Sequence, residues 1–134
     1  MALHSKHAFA GSTPPLVLVV EDEELIRMAT VELLRDAGFA TDEARSAAEA
    51  MAGAQARGAG LAAAVIDLGL PDAGGDAVVA DIRARWPALP IVVASGQSDV
   101  DLVHRFGNDG RIAVVGKPYD GATLVSTLRR LIGG

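Results

Sequence analysis

An unbroken apolar run leads into an aspartate at Ala62-Ala63-Ala64-Val65-Ile66-Asp67, and the turn Leu68-Gly69-Leu70-Pro71-Asp72 follows. A short, continuous apolar run is typical of a strand that is buried on both faces of a sheet. This stretch therefore predicts one strand of a parallel sheet, with the carboxylate of Asp67 at the rim where the strand ends.

Three other apolar runs end in polar or charged side chains in the same way. They are residues 16–20 followed by Glu21 and Asp22, residues 91–94 followed by Ser95, and residues 112–116 followed by Lys117 and Pro118. A weaker, polar run at residues 40–44 suits an edge strand. Helical patterns fill the gaps at residues 24–37, 46–57, 76–85, about 98–106 and from Asp120 onward. This alternation predicts an α/β fold with helices on both faces of a parallel sheet, in which ligands bind beyond the carboxyl ends of the strands.

The first helical pattern places apolar residues at helical spacing, which predicts the face that packs against the sheet. These residues are Leu25, Met28, Ala29, Leu33 and Leu34. Gly38 supplies a left-handed stop for this helix. Ser46 and Glu49 form a capping box that opens the next one.

Composition limits the classes of function. The chain has 12 basic and 17 acidic residues, a net charge of −5, which argues against a nucleic-acid partner. The absence of cysteine excludes disulfides and thiolate metal sites. No apolar stretch approaches the length of a membrane span, so we expect a soluble, cytoplasmic protein. Residues 1–15 are expected to be a flexible extension, and residues 16–132 a single domain.

The side chains at the predicted sheet edge suit a phosphate and a divalent cation. Carboxylates are the ligands that Mg²⁺ prefers, and Glu21, Asp22 and Asp67 supply three. Lys117 offers a point charge for a phosphoryl oxygen. Taken singly, Asp22 is equally suited to capping a helix and Asp67 to opening a turn. Together the acids favour a cation site, because clustered carboxylates repel unless a cation compensates.

In their order along the chain, these residues resemble a bacterial two-component response-regulator receiver domain over about residues 16–132. The resemblance rests on Val-Val-Glu21-Asp22-Glu, Ile-Asp67-Leu-Gly-Leu-Pro71-Asp, Gly74-Gly75, Ala-Ser95-Gly and Lys117-Pro118-Tyr119. It implies a flavodoxin-like, five-stranded parallel sheet in the order 2-1-3-4-5.

The resemblance also implies roles for individual residues. Asp67 would accept a phosphoryl group from a histidine kinase or a histidine phosphotransfer protein. Mg²⁺ would be held by Asp67, by Asp22 directly, by Glu21 through water and by the backbone carbonyl of Gly69. Ser95 would close onto the phosphoryl group and Lys117 would pair with it, while the Lys117–Pro118 bond would be cis.

Some positions depart from the family's usual pattern. Val114 stands where many receivers carry an aromatic residue in the fifth strand, so the usual coupling between that aromatic and the hydroxyl of Ser95 is missing. Gly69 and Gln97 lie two residues beyond Asp67 and Ser95, where the family tunes water access to the acyl phosphate. We interpret His104 and Tyr119 as packing or surface residues.

The leading hypothesis is a phosphorylation-controlled signalling module, not a conventional enzyme, that acts by protein contact or by onward phosphotransfer. Its downstream target would be a protein, contacted by the fourth helix, fifth strand and last helix, and it would be a monomer or a phosphorylation-dependent dimer. The last helix ends near Gly133, so we expect no attached effector, although a receiver cut from a hybrid kinase stays open. The alternative is a pseudo-receiver that folds alike and only binds partners. An aspartyl phosphatase is disfavoured, because such an enzyme needs a second aspartate two residues after the nucleophile and this chain has Gly69 there. A flavin-binding protein is disfavoured, because the four acids at residues 21–24 would repel the flavin phosphate.

Overall fold

A computed structural model describes residues 13–70, 72, 74–96, 106, 109–117 and 120–133. Within these ranges, strands and helices alternate along the chain: β1 Leu16–Val20, α1 Glu24–Asp36, β2 Ala40–Ala44, α2 Ala47–Arg57, a 3₁₀ turn Gly58–Gly60, β3 Leu61–Asp67, α3 Gly75–Arg85, β4 Ile91–Ser95, β5 Ile112–Gly116 and α4 Gly121–Gly133. The helix predicted near residues 98–106 lies outside the described residues, apart from Phe106.

The five strands form one parallel sheet in the order β2-β1-β3-β4-β5. This confirms the predicted α/β fold and strand order. β2 lies at one edge of the sheet and carries the polar sequence expected there. Because all strands run in the same direction, their carboxyl ends lie along a single edge.

Two layers of apolar side chains cover the two faces of the sheet. In β1, Val17 and Val19 point into the core under α1 and α4, whereas Leu18 and Val20 point into the core under α2 and α3. We call these the α1–α4 core and the α2–α3 core. The central strands β3 and β4 divide their side chains between the two cores in the same alternating way. The continuous apolar runs are thus explained, since every position of β4 and all but Ala62 in β3 are buried.

The helix ends follow the predicted signals. Gly38 has φ 101°, and the N–H groups of Gly38 and Phe39 donate to the carbonyls of Arg35 and Leu34, which closes α1 in a Schellman motif. Ser46 Oγ accepts from the N–H of Glu49 at 3.1 Å, which caps α2. The third helix begins at Gly75, one residue before the predicted start.

The predicted packing face of α1 is wrong in part. Leu25 and Met28 are exposed, at 81% and 54% of their surface, whereas Arg27, Thr30, Val31 and Leu34 are buried. Helical spacing located an apolar stripe, but the stripe that meets the sheet begins with a charged residue. Arg27 can occupy this position because acceptors from the loop after β1 and from β2 pair with its guanidinium group.

Among the described residues, no helix is long and apolar enough to cross a membrane.

Candidate functional site

The predicted site residues meet at the carboxyl edge of the sheet. Asp67 ends β3 and Ser95 ends β4, while Glu21 and Lys117 directly follow β1 and β5. The strand register sets this arrangement, because Val20 pairs with Ile66 and Ser95 pairs with Gly116. Residues up to 96 positions apart in the sequence therefore become neighbours.

Three carboxylates form the acidic part of the site. Glu21, Asp22 and Asp67 each present an oxygen, and these oxygens lie within 4.8 Å of one another. Glu21 and Asp67 are buried, whereas Asp22 is exposed. Unit charges about 4 Å apart interact by about 4 kcal/mol at an effective dielectric of 20. The cluster is therefore costly unless cations offset its charge.

Lys117 supplies one such cation. Its Nζ lies 3.0 Å from Glu21 Oε1 and 3.3 Å from Asp67 Oδ1, so that one ammonium bridges two of the three acids. The N–H of Lys117 also donates to the carbonyl of Ser95 at 2.7 Å, which fixes the lysine to the end of β4. Burial alone would lower the pKa of Lys117, but the hydrogen bond to Glu21 and the charge of Asp67 outweigh it and raise the pKa. The lysine is thus held in its charged form.

Glu21 is buried in spite of its charge. Its Oε1 accepts from Lys117, and its Oε2 accepts from the N–H of Glu23 at 3.2 Å. Burial raises the pKa of Glu21, the two hydrogen bonds offset this only in part, and the nearby charge of Asp67 raises it further. A positive charge beside this carboxylate would favour its ionised form.

Asp67 faces a gap that glycine leaves. The N–H of Gly69 donates to Asp67 Oδ1 at 3.1 Å. A Cβ on Gly69 would lie 3.7 and 3.8 Å from the two carboxylate oxygens, so the missing side chain leaves the approach to Asp67 open. Oδ2 of Asp67 has no hydrogen-bond donor among the described residues.

The donor set fits a hard divalent cation. Three carboxylate oxygens within 4.8 Å match the oxygen ligands that Mg²⁺ selects, and the exposure of Asp22 leaves room for the waters that this ion retains. Mg²⁺ bound here would neutralise negative charge on the acids and on an incoming anion. Which residues act as direct ligands, including the Gly69 carbonyl, stays a prediction.

The remaining predicted residues are placed only in part. Ser95 is buried at the end of β4, and its role toward a phosphoryl group stays a prediction. Val114 is half-buried, pairs with Val93 and packs against the α2–α3 core. The predictions for Gln97, His104, Pro118 and Tyr119 lie outside the described residues.

Sequence reasoning missed two residues that support the site. Arg27 donates from Nη1 to the carbonyl of Glu21 at 3.0 Å. Asp72, in the loop after Asp67, accepts from the N–H groups of Ala47 and Ala48 at 2.8 and 3.1 Å and so caps α2 across the sheet edge. The available signal for Arg27 was its helical spacing, which places this charged residue on the same face of α1 as Val31 and Leu34. Asp72 carried no signal, because its partners lie about 25 positions away.

A shallow apolar groove of about 340 Å³ adjoins the site. It lies between α1 and the start of α4, and Lys117 is one of its lining residues. The exposed Leu25 lies in its wall. The site therefore opens beside an apolar surface and not only onto water.

The fold and the site define a class of protein: a flavodoxin-like α/β domain with an acidic, lysine-paired site at the carboxyl edge of its sheet. The sequence model of the response regulator receiver domain matches residues 17–129. The chain belongs to this family, whose members are the receiver domains of two-component systems. Phosphorylation and signal transduction follow from that membership.

Curated relatives share the domain within longer proteins. The C4-dicarboxylate transport transcriptional regulatory protein DctD of Rhizobium meliloti is 32% identical over 119 residues, which are 89% of this chain and 25% of the relative. The transcriptional regulatory protein PdtaR of Mycobacterium tuberculosis is 33% identical over 88% of this chain and 57% of its own length. The sensor kinase CckA of Brucella abortus is 26% identical over 87% of this chain and 12% of its own length. The chain thus spans only part of these relatives.

Solved structures show the same fold. The chemotaxis protein CheY4 of Vibrio cholerae superposes with a TM-score of 0.79 at 27% identity, covering 88% of this chain and 98% of that one. A response regulator receiver domain from Clostridium thermocellum reaches a TM-score of 0.83 at 20% identity, covering 89% and 94%. The latter likeness concerns the fold alone.

Proposed function

We propose that Asp67 is the phosphoacceptor of a two-component phosphorelay. Its phosphorylation is proposed to require Mg²⁺, bound at Glu21, Asp22 and Asp67. The observation that carries this proposal is the geometry around Asp67: two further acids within 4.8 Å and an ammonium 3.3 Å from its Oδ1. An isolated structural aspartate needs neither feature. The cytoplasm is the proposed location, and the naming of DctD and PdtaR as transcriptional regulatory proteins supports it.

The proposed reaction is a nucleophilic displacement at phosphorus. A carboxylate oxygen of Asp67 forms a bond to the phosphorus of a phosphohistidine on a histidine kinase or a histidine phosphotransfer protein. The P–N bond breaks, its electron pair goes to the imidazole nitrogen, and that nitrogen takes up a proton. The product is an acyl phosphate on Asp67. Lys117 holds its ammonium beside the attacked centre and offsets charge on the phosphoryl oxygens.

The donor is proposed to be a protein. Receiver domains of two-component systems interact with kinases and with downstream targets. Contact with an apolar protein surface is supported by the exposed Leu25 and Met28 and by the groove that Lys117 helps to line. Output is proposed to pass by protein contact or by onward phosphotransfer, from a monomer or a phosphorylation-dependent dimer, without nucleic-acid or membrane contact by this domain.

Intact mass spectrometry after incubation with acetyl phosphate and Mg²⁺ tests the acceptor. We expect one phosphoryl adduct on the wild-type chain and none on Asp67→Asn. Asp72→Asn is the matched control, because it changes a second acid of the same loop and retains a side-chain oxygen that can cap α2. It should keep the adduct.

Two outcomes would contradict the proposal. An adduct that survives in Asp67→Asn would place the acceptor elsewhere. A wild-type chain that forms no adduct, with chelated and Mg²⁺-loaded samples alike, would favour the pseudo-receiver, which binds partners without being phosphorylated.

A further inference from the structure

Arg27 is a buried cation in α1 that no predicted role covers. Only 8% of its surface is exposed. Arginine is seldom buried to this degree unless its charge is paired and its N–H groups are bonded. Its position therefore indicates a specific task, which its partners identify.

The side-chain partners of Arg27 come from two places, the loop after β1 and the edge strand β2. Its Nη1 donates to the main-chain carbonyl of Glu21 at 3.0 Å, and its Nε donates to Glu43 Oε1 in β2 at 3.1 Å. The side chain of Glu43 is itself 43% exposed. Arg27 thus links the loop after β1 to the edge strand β2.

These contacts fix the main chain of Glu21 at both ends. Its N–H donates to the carbonyl of Ala44 at 3.0 Å, and its carbonyl accepts from Arg27. Both anchors depend on the end of β2, since Glu43 orients Arg27. Among the described residues, Arg27 makes no hydrogen bond or ion pair with Asp22 or Asp67.

The carbonyl that Arg27 holds belongs to the peptide unit joining Glu21 to Asp22. A peptide unit is planar, so fixing its oxygen also fixes the N–H of the next residue and the direction in which its Cα leaves. Asp22 is exposed and has no side-chain hydrogen bond among the described residues. The orientation of its carboxylate toward the other two therefore depends on this main chain.

We propose that Arg27 is a positioning residue that sets the divalent-metal affinity of the acidic pair by holding the Glu21–Asp22 peptide, with Glu43 as its anchor. This rests on the proposed Mg²⁺ site. Arg27 touches no reacting atom and acts only through the main chain. Outer partners of metal ligands commonly change metal affinity by about 10–100-fold when they are removed.

Calorimetric titration of the full chain with Mg²⁺ tests the proposal. We expect Arg27→Gln to weaken Mg²⁺ binding, with a Kd at least about tenfold higher than that of the wild type. Arg27→Lys should also weaken it, because a lysine keeps the charge but lacks the planar fork that reaches two acceptors in different directions. Glu43→Gln should weaken it less, and the double variant Arg27→Gln/Glu43→Gln should be no worse than Arg27→Gln, since both residues belong to one network.

A second readout separates positioning from catalysis. The rate of phosphorylation by acetyl phosphate should need about tenfold more Mg²⁺ for half-saturation in Arg27→Gln and should approach the wild-type rate at saturating Mg²⁺. Arg57→Gln is the matched control. Arg57 also pairs with an acid of β2, Asp42 at 3.0 Å, but it is exposed and makes no hydrogen bond or ion pair with any other described residue. Its Mg²⁺ Kd should equal that of the wild type.

Several results would overturn the inference. If folded Arg27→Lys and Glu43→Gln both bind Mg²⁺ with the same Kd as the wild type, Arg27 has only a structural role, even if both variants melt at a lower temperature. A rate that stays low at saturating Mg²⁺ would assign Arg27 to the reaction itself. No Mg²⁺ binding by the wild type would overturn this inference together with the metal site. Mg²⁺ binding that depends on Arg27, without an Asp67 adduct, would contradict the proposed function alone.

Discussion

Glu21 combines two properties that oppose each other at the scale of a single residue. It is 3% exposed, and it is paired with Lys117 at 3.0 Å. Burial raises its pKa above the ordinary value, and the pairing offsets only part of this rise. The protonation of Glu21 therefore makes the free energy of unfolding depend on pH, as that of a surface glutamate with an ordinary pKa does not.

This response has a definite sign. Between the ordinary and the raised pKa of Glu21, the folded protein retains a proton that the unfolded chain has released. The free energy of unfolding should therefore fall as pH rises through this window. We expect Glu21→Gln, which cannot titrate, to flatten this part of the pH profile.

Urea denaturation of the metal-free protein at pH values from about 4.5 upward measures this slope. Glu49→Gln is the control, because Glu49 is exposed and its pKa is lowered by the hydrogen bond from Arg45. Its own contribution has the opposite sign. Parallel profiles for the wild type and Glu21→Gln would show that Glu21 does not carry the effect.

The sequence predicted the members of the site but not their support. Asp67, Ser95, Glu21, Asp22 and Lys117 could be located because each ends or follows an apolar run. Arg27 was missed because its two acceptors come from the loop after β1 and from β2. A helical pattern shows which residues share a face, but it does not show which acceptors another strand will bring to that face.

The start of α3 shows the same limit at the scale of an element. The N–H of Gly75 donates to the carbonyl of Leu68 at 3.1 Å, which draws the helix onto the end of β3. A Cβ on Gly75 would overlap the carbonyl of Asp67 and the Cα of Leu68, and backbone atoms cannot yield as a flexible side chain does. The pair Gly74-Gly75 was noticed in the sequence, but this close approach could not be inferred from it.

We therefore expect Gly75→Ala to lower the free energy of unfolding by about 1–3 kcal/mol, the usual cost of forcing extra atoms into a packed site. Gly60→Ala is the matched control, because an added Cβ there meets nothing within 4 Å and the backbone needs no positive φ. It should change stability by less than about 0.5 kcal/mol. Urea denaturation of both variants measures the difference, and equal effects would mean that α3 can move away from Asp67 at little cost.

Strand positions were the most predictable elements, since each continuous apolar run marks a strand that is buried on both faces. The face of α1 was the least predictable. Leu25 and Leu34 lie on opposite sides of the helix, about 180° apart at 3.6 residues per turn. Leu34 is buried, whereas Leu25 and Met28 lie outside the core. The face of α1 that packs on the sheet includes the paired Arg27, and a paired arginine looks like a surface residue in the sequence.

At the scale of the whole molecule, the site should be linked to global stability. A ligand that binds only the folded chain at a hundred times its Kd stabilises it by about 2.7 kcal/mol. We expect Mg²⁺ with beryllofluoride, a phosphoryl mimic, to raise the Tm of the wild type well above that with Mg²⁺ alone. Asp67→Asn should lose the beryllofluoride increment, whereas Asp72→Asn should keep it. A wild-type Tm that ignores both ligands would favour the pseudo-receiver.

The two apolar cores lie on opposite faces of one sheet, and no side chain within the described part of the chain belongs to both. A volume lost in the α1–α4 core can be regained by a neighbour in that core without any adjustment in the α2–α3 core. In descent, the two helical layers can therefore accumulate substitutions independently, each against its own face of the sheet. The layer that carries Leu25 and Met28 can acquire a new partner while the opposite layer keeps its sequence.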